Sequence, residues 1–433
     1  MFLRSLINIA RLKILFFIFL ITYPVLRRRS IYLFLDYAGP SFIKLGQALA
    51  SRPDLIGKEM AASLSGFQDK VKPFSSKIVK NILAKELGHD YEERFTEIDY
   101  TPAASASIAQ VHKATLNDGS KVAVKILRPN IRKTVKRDIA TLGFIIKITS
   151  LFSKSLAKSL DDIASVLKQC YEVELDLTRE AGNAVRLKKN LVDLIGFYVP
   201  DTYPQLTTPR ILVTQWIDGI PFSDLEAIKE STLDKKEVAK NLVISYFSQV
   251  YRDGYFHADM HHGNLFLMAN GDIGVVDFGI MCEIDKKLRI AIAEILIAYL
   301  DKNYARVAKI HIEAGIVPKD ADIYALELTC KDIGSKMVGS SIKDVSLARL
   351  LTDLIEMTSK YKMSTKPELL LLQKTILLVE GVGVTLDPDL NIWKVAGPWV
   401  KGWAVKNISF DAKIRDAAID FFTAVKNIVK SNL

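Results

Sequence analysis

Two short β-prone runs that meet at Asn117-Asp118-Gly119 constrain this chain more than any other feature. Val111 to Leu116 and Lys121 to Leu127 alternate apolar with polar residues, and an Asp-Gly turn between such runs specifies a hairpin. A second hairpin is expected at Leu265–Met268 and Ile273–Phe278, turning at Asn270-Gly271. Ile211–Trp216 reads as one further short strand. Helical periodicity fills the rest: residues 35–95 with turn points at Pro40, Pro53 and Pro73, then 131–195, 235–255 and 285–385. No internal repeat or low-complexity linker interrupts it. The order predicts an α+β chain, mainly α overall, with a small β-rich lobe before a larger helical lobe. At 433 residues, 49% of them hydrophobic, the chain can bury a core of that size.

Four chemical elements follow one another along this framework. Val122-Ala-Val-Lys125 lies on the second strand of the first hairpin, and alternation puts Lys125 on the face opposite Val124 and Ile126. Protein kinases use such a lysine to reach the α- and β-phosphates, and hold it with a helix carboxylate. Glu172, Glu174, Asp176 and Glu180 are the candidates. His257-Ala-Asp259 is followed by Asn264 five residues after the aspartate, the kinase catalytic-loop spacing. There Asp259 would position or deprotonate an acceptor, and Asn264 would hold Mg²⁺. Asp277-Phe278-Gly279 supplies a second Mg²⁺ ligand in Asp277 and a glycine for a tight exit. Each element alone is common: strands often end in lysine, and Asp-Phe-Gly is a plain turn elsewhere. Their order and spacing together are specific.

Two kinase features are missing. No G-x-G-x-x-G precedes Lys125; Thr101–His112 is an Ala/Ser-rich stretch instead. Ala104, Ser105, Ala106, Ser107 and Ile108 would serve the nucleotide through backbone and hydroxyl bonds on a stiffer loop. No Ala-Pro-Glu follows Asp277-Phe-Gly279, which argues against a segment for protein substrates.

Lys44-Leu-Gly46-Gln47, the Ala-rich loop, Glu174-x-Asp176, Glu180-Ala181-x-Asn183, His257-x-Asp259-x-His261-x-Gly263-Asn264 and Asp277-Phe-Gly279 together resemble the UbiB family of atypical kinases, over residues ~35–385. The resemblance implies a bilobal protein-kinase-like fold with an N-terminal helical extension. It implies that Lys44 and Gln47 lie over the active site and gate it, that Glu174 pairs with Lys125, and that Glu180 faces the extension. It implies ATP or ADP with Mg²⁺ as ligands. The activity would be ATP hydrolysis, or phosphorylation of a quinone precursor or other small molecule, supporting ubiquinone biosynthesis beside that pathway's enzymes. Met260 and His262 stand where many members have proline.

The net charge of +10 sits at the two ends. Six basic and no acidic residues precede Asp36; seven basic and three acidic residues follow Leu390; the body between is neutral. A nucleic-acid binder would carry its basic surface in the folded body, so basic ends point to anionic membrane lipid. The apolar run Ile14–Leu26 is short for a span, which needs about 20 residues, and suits an interfacial anchor ahead of Arg27–Arg29. A marginal span is the other reading, and if the segment spans, Arg27–Arg29 after it would place the body on the cytoplasmic face of the inner (plasma) membrane. The expected divisions are a membrane-interacting segment 1–34, a helical extension 35–95, an N-lobe with inserted helices 96–220, a helical C-lobe 221–390, and a basic tail 391–433. Trp393, Trp399 and Trp403 in that tail suit a headgroup interface or packing on the helical lobe.

Three other readings compete. His257, Asp259, His261 and His262 could bind a metal for hydrolysis, but that leaves Lys125 and Asp277-Phe-Gly unexplained. A nucleotide-sensing pseudokinase, acting as a scaffold or lipid chaperone for quinone-precursor enzymes, would keep the same binding residues and turn over little. A quinone-ring hydroxylase would need a flavin fingerprint or haem motif, and the chain has neither. Cys170, Cys282 and Cys330 are far apart and read as reduced thiols.

Overall fold

The computed structural model describes residues 72–151, 175–338 and 366–408 continuously, with single positions at Gly46, Asp353 and between 154 and 171. The chain divides into two compact units. The first takes residues 1–186, 200–217 and 277–279; the second takes 187–199, 218–276 and 280–433.

The first unit is built on an antiparallel sheet. Strands β1 (Phe95–Ile98), β3 (Ala109–Leu116), β4 (Lys121–Leu127) and β6 (Ile211–Gln215) lie in the order β1-β3-β4-β6, and β2 (Ala104–Ser105) also pairs with β3. The predicted hairpin is present: Leu116 and Ser120 close the turn, with Gly119 at φ 84°. Val122, Val124 and Ile126 face the core, where helix α1 (Ser76–Leu87) lays Val79, Ile82 and Leu83 against them and against Ile211 and Val213. Burying such side chains is worth about 1.5–3 kcal/mol each. The core therefore fixes the strand register, and register decides which way Lys125 faces. Residues 35–95 were expected to be helical throughout. Among the described ones the chain is helical over Ser76–Leu87 and in a 3₁₀ turn at Tyr91–Arg94, then becomes β1. Helix α2 (Ile131–Ser150) follows β4. A break at Leu175–Asp176 precedes helix α3 (Leu177–Asn190), so 131–195 is not one helix.

The second unit holds a four-stranded sheet, β5 (Phe197–Tyr198), β10 (Ile273–Val275), β9 (Leu265–Met268) and β7 (Gly219–Pro221), in the order β5-β10-β9-β7. A two-stranded ribbon pairs β8 (Tyr255–His257) with β11 (Met281–Glu283). Helix α4 (Leu225–Glu230) and helix α5 (Lys235–Phe247) each start at an aspartate cap: Asp224 accepts from Ala227 N–H, and Asp234 from the N–H groups of Lys236 and Glu237. Helix α5 continues as a π-helical turn over Ser248–Asp253 and ends at Gly254, φ 64°. A Cβ at Gly254 would meet Ile284 O at 2.7 Å, so only glycine fits this corner. Among the described residues helices α6 (Lys286–Leu300), α7 (Tyr304–Glu313), α8 (Ile323–Val338), α9 (Pro367–Leu386) and α10 (Ile392–Ile408) follow. Helix α9 is long and apolar enough to cross a membrane, the one such helix among the described residues. One face of it packs within the unit: Leu370, Leu372, Ile376, Val379 and Val382 are buried, and Tyr246 Oη donates to Leu372 O at 3.1 Å. Trp399 and Trp403 of α10 pack on Tyr251, with ring centroids 6.5 and 5.7 Å away.

Candidate active site

In the first unit Lys125 is held by two carboxylates. Its Nζ lies 2.8 and 2.9 Å from the two oxygens of Glu180 and 3.1 Å from Asp277 Oδ1. Burial pulls the ammonium's pKa down, but Asp277 and Glu180 outweigh it and hold the pKa above the ordinary lysine range. The charged form is therefore secure at neutral pH. The resemblance implies Glu174 on Lys125, with Glu180 turned to the extension; Glu180 is the residue that holds Lys125. The reason is local. Asp176 caps a new helix at Leu177, accepting from Thr178 N–H at 3.1 Å and Thr178 Oγ1 at 2.6 Å, and this puts Glu180 in the first turn of α3. Three residues on, Asn183 Nδ2 donates to Phe278 O at 2.9 Å. The same helix thus serves both the lysine and the Asp-Phe-Gly turn. Glu174, Lys44 and Gln47 lie outside the described residues.

Asp277 adopts a left-handed backbone, φ 62°, which aspartate tolerates better than most residues. Its Oδ1 accepts from Gly279 N–H at 3.2 Å, and its side chain is half exposed. A Cβ at Gly279 would stand 3.1 Å from that oxygen, so the glycine keeps the approach open.

The Ala-rich loop is a tight strand turn. Ala104 pairs with Val111 and Ser105 with Gln110, and Ala106 N–H donates to Ala109 O at 2.8 Å. Ser107 and Ile108 are buried at its tip. Sequence reasoning missed what braces it. Arg128, just after β4, donates from Nε to Ala106 O at 2.9 Å and from its terminal nitrogens to Ser105 Oγ and Lys72 O, both at 3.0 Å. Its own N–H reaches Ile108 O at 2.8 Å. Beneath the loop runs a buried polar chain. Gln110 Oε1 accepts from Phe74 N–H, Gln110 Nε2 meets His112 Nε2 at 2.8 Å, and His112 Nδ1 meets Asp99 O at 2.9 Å. With Nε2 accepting from the amide, the proton of neutral His112 belongs on Nδ1. Burial lowers the pKa of His112, against a smaller opposing pull from Asp99.

In the second unit the catalytic loop joins β8 to β9. His257, fully buried, accepts Asp259 N–H on Nδ1 at 3.1 Å, and its own N–H is taken by Gln249 of the π-helical turn. Ring Nδ1 is thus a brace for the loop. Asn264 N–H donates to His261 O, and Asn264 Nδ2 to Asp259 O at 3.0 Å. The Asn264 side-chain oxygen is then the atom of that amide suited to a hard cation. Ala258 N–H bonds Ile280 O, and Val276 N–H bonds Asn264 O, so the flanks of the Asp-Phe-Gly turn are tied to the flanks of the loop. Met260 is buried. Burial lowers the pKa of His262, and neighbouring His261 adds to the effect. Asp259 is gripped by a residue the sequence did not single out: Lys374 of α9, whose Nζ lies 2.7 Å from Oδ1. His261 Nε2 is 3.8 Å from Oδ2. Lys374 comes 115 residues after its partner, so no local spacing signals it.

Two thiols are chemically quiet. Burial pushes Cys282 up to about 12 and Cys330 up to about 11. Cys170 lies outside the described residues. Among the described residues no group of three His, Cys, Asp or Glu side chains could hold a metal ion, so the hydrolytic metal centre has no ligand set there.

Residues 66–311 match the ABC1 atypical kinase-like domain, and residues 330–391, which contain Lys374, match the UbiB helical domain. A protein of Haemophilus ducreyi named "Probable protein kinase UbiB" is 36% identical over 394 residues, spanning 88% of this chain and 72% of that one. Its namesake in Marinobacter nauticus is 37% identical over 382 residues, spanning 86% and 69%. A solved structure of Rv3197 from Mycobacterium tuberculosis, in complex with erythromycin, superposes with a TM-score of 0.55 at 22% identity, covering 87% of this chain and 96% of that one. That last likeness is one of fold. The fold is α+β and protein-kinase-like, and the chain belongs to the UbiB family of ABC1 atypical kinase-like proteins.

Proposed function

We propose that this protein binds Mg-ATP and transfers its γ-phosphoryl group to a small-molecule acceptor or to water, in support of ubiquinone biosynthesis at a membrane. The observation that carries the reading is Lys125 fixed between Glu180 and Asp277. A lysine held charged by a helix carboxylate and the Asp-Phe-Gly aspartate is suited to phosphate oxygens. Asp277 in the first unit and Asn264 in the second would each offer a hard oxygen ligand of the kind Mg²⁺ prefers, and the ion would neutralise phosphate charge. Asp259 orients the acceptor hydroxyl and takes its proton as the new O–P bond forms. The bond from the γ-phosphorus to the bridging oxygen breaks, and ADP leaves with that electron pair. The Arg128-braced Ala-rich loop supplies backbone groups to the nucleotide from a stiffer frame than a glycine loop. In this reading Lys44 and Gln47 gate the cleft against peptides.

The test is phosphate release from Mg-ATP by the full chain on anionic vesicles, with and without a prenylated phenol as quinone-precursor probe. Release that rises with the phenol and vanishes in Asp277→Asn supports the enzyme. Nucleotide binding without release would support the pseudokinase scaffold instead. Membrane binding is assigned to residues 1–34, where six basic residues contribute about 1 kcal/mol each beside an anionic surface. Equal pelleting of a chain lacking them would overturn that assignment.

A further inference from the structure

The carboxylate of Asp259 is the group on which the phosphoryl-transfer reading depends, and it is fixed from outside its own loop. The residue two after Asp259 is His261, whose Nε2 stands 3.8 Å from Oδ2, beyond a hydrogen bond. The short contact comes from Lys374 Nζ, 2.7 Å from Oδ1. A charge-assisted bond of that length is at the strong end for an ammonium and a carboxylate. Both side chains are partly shielded, 33% and 21% exposed, so the pair is less screened than a surface one.

Helix α9 holds Lys374 in place. Leu372 and Ile376, two residues to either side, are buried, and Tyr246 Oη bonds the Leu372 carbonyl. A long lysine on such a helix gives up less freedom to reach Asp259 than one on a loop would. Asn264 reaches the same aspartate from the other side, through its backbone oxygen. Backbone and side chain of Asp259 are thus fixed by two different partners.

We propose that Lys374 is a positioning residue for phosphoryl transfer: its ammonium sets the rotation of the Asp259 carboxylate, the group that takes the acceptor's proton. This rests on the reading of Asp259 under Proposed function. The helical region that follows the kinase-like domain then contributes to the chemistry as well as to the fold. Removing the ammonium leaves the carboxylate free to rotate, which lowers turnover more than nucleotide affinity. Lys374 and His261 both face the Asp259 carboxylate within this unit.

The experiment uses the full chain on anionic vesicles and reads two quantities, Mg-ATP affinity by calorimetry and kcat of phosphate release. The variants are Lys374→Met, Lys374→Gln, Lys374→Arg, Asp259→Asn and the double variant Lys374→Met with Asp259→Asn. The expected result is that Lys374→Met and Lys374→Gln keep Mg-ATP affinity within about twofold and lose about tenfold in kcat, a part of what a general base supplies. Lys374→Arg should restore kcat, and Lys374→Met should add nothing in the Asp259→Asn background. An unchanged kcat in both neutral variants, no recovery in Lys374→Arg, or an equal further loss in the Asp259→Asn background, overturns the inference and leaves the nucleotide reading standing. Wild type with neither Mg-ATP affinity nor phosphate release overturns the nucleotide reading, and this inference with it.

Discussion

Lys125 Nζ and the Glu180 carboxylate form a two-oxygen contact, 2.8 and 2.9 Å, between the middle of a strand and the first turn of a helix. Only 16% of the lysine side chain and 8% of the glutamate side chain are exposed. A charge pair this shielded is costly to break on one side, because the survivor stays buried.

Glu180→Gln should therefore destabilise the chain by about 2 kcal/mol, below the ~3–5 kcal/mol of a fully orphaned charge because Asp277 stays on Lys125. Urea unfolding would read this directly. Mg-ATP affinity should fall with it. If Glu174→Gln cost as much while Glu180→Gln cost nothing, the pairing seen here would be wrong.

Asp277→Asn should remove the metal-linked part of nucleotide binding. A ligand at 100 times its Kd stabilises a folded protein by about 2.7 kcal/mol. A thermal-shift titration should show that gain for wild type with Mg-ATP and almost none for the variant. An undiminished shift would take Asp277 out of the site.

Arg128→Ala should loosen the Ala-rich loop. It removes side-chain bonds to Ala106 O, Ser105 Oγ and Lys72 O, with a stability loss of about 1–2 kcal/mol for these half-buried contacts. The larger effect should be on nucleotide affinity and on the ATP-to-ADP preference, since the loop backbone is the proposed cradle. Arg128→Lys should recover little, because an ammonium cannot span three acceptors in a fixed plane. Wild-type affinity in both variants would show that the brace is irrelevant to binding.

His112 should make folding sensitive to mild acid. Its folded pKa is depressed below 6.5 by burial, while the unfolded chain protonates near 6.5. As pH falls below that value the unfolded state takes up a proton that the folded state refuses. Stability present above pH 6.5 is thus lost on acidification, by up to about 1.4 kcal/mol per pH unit for one group. Protonation would also set an Nε2–H against the Gln110 amide. His311, buried with Nδ1 on Val307 O, is shifted the same way and for the same leading reason. Urea midpoints measured on either side of pH 6.5 should differ more for wild type than for His112→Asn. Equal slopes would remove His112 from the account.

Much of the site can be read from the chain because its parts are local. The turn at Asn117-Asp118-Gly119 and the alternation along Val122–Ile126 determine a hairpin with Lys125 facing away from the core, and the structure has it. The five-residue spacing from Asp259 to Asn264 encodes a loop closed on itself by Asn264 Nδ2 and Asp259 O. Other pieces needed the folded chain. Four acids between 172 and 180 are equivalent by composition; the helix that starts after Asp176 selects Glu180. Arg128 reads as an ordinary surface cation until β2 folds back beside β3 and brings Ala106 O to it. Helix α9 has the length and apolar composition of either a core helix or a membrane span, and only the fold shows that Leu370, Leu372, Ile376, Val379 and Val382 are buried and that Tyr246 bonds its backbone. Lys374 is one of 59 basic residues, and only packing sets it on Asp259. Hairpins, caps and loop spacings are set by neighbours in the chain, whose geometry is carried by residue type and order. Contacts between residues far apart in sequence depend on which faces the core brings together, and periodicity describes each face without naming its partner.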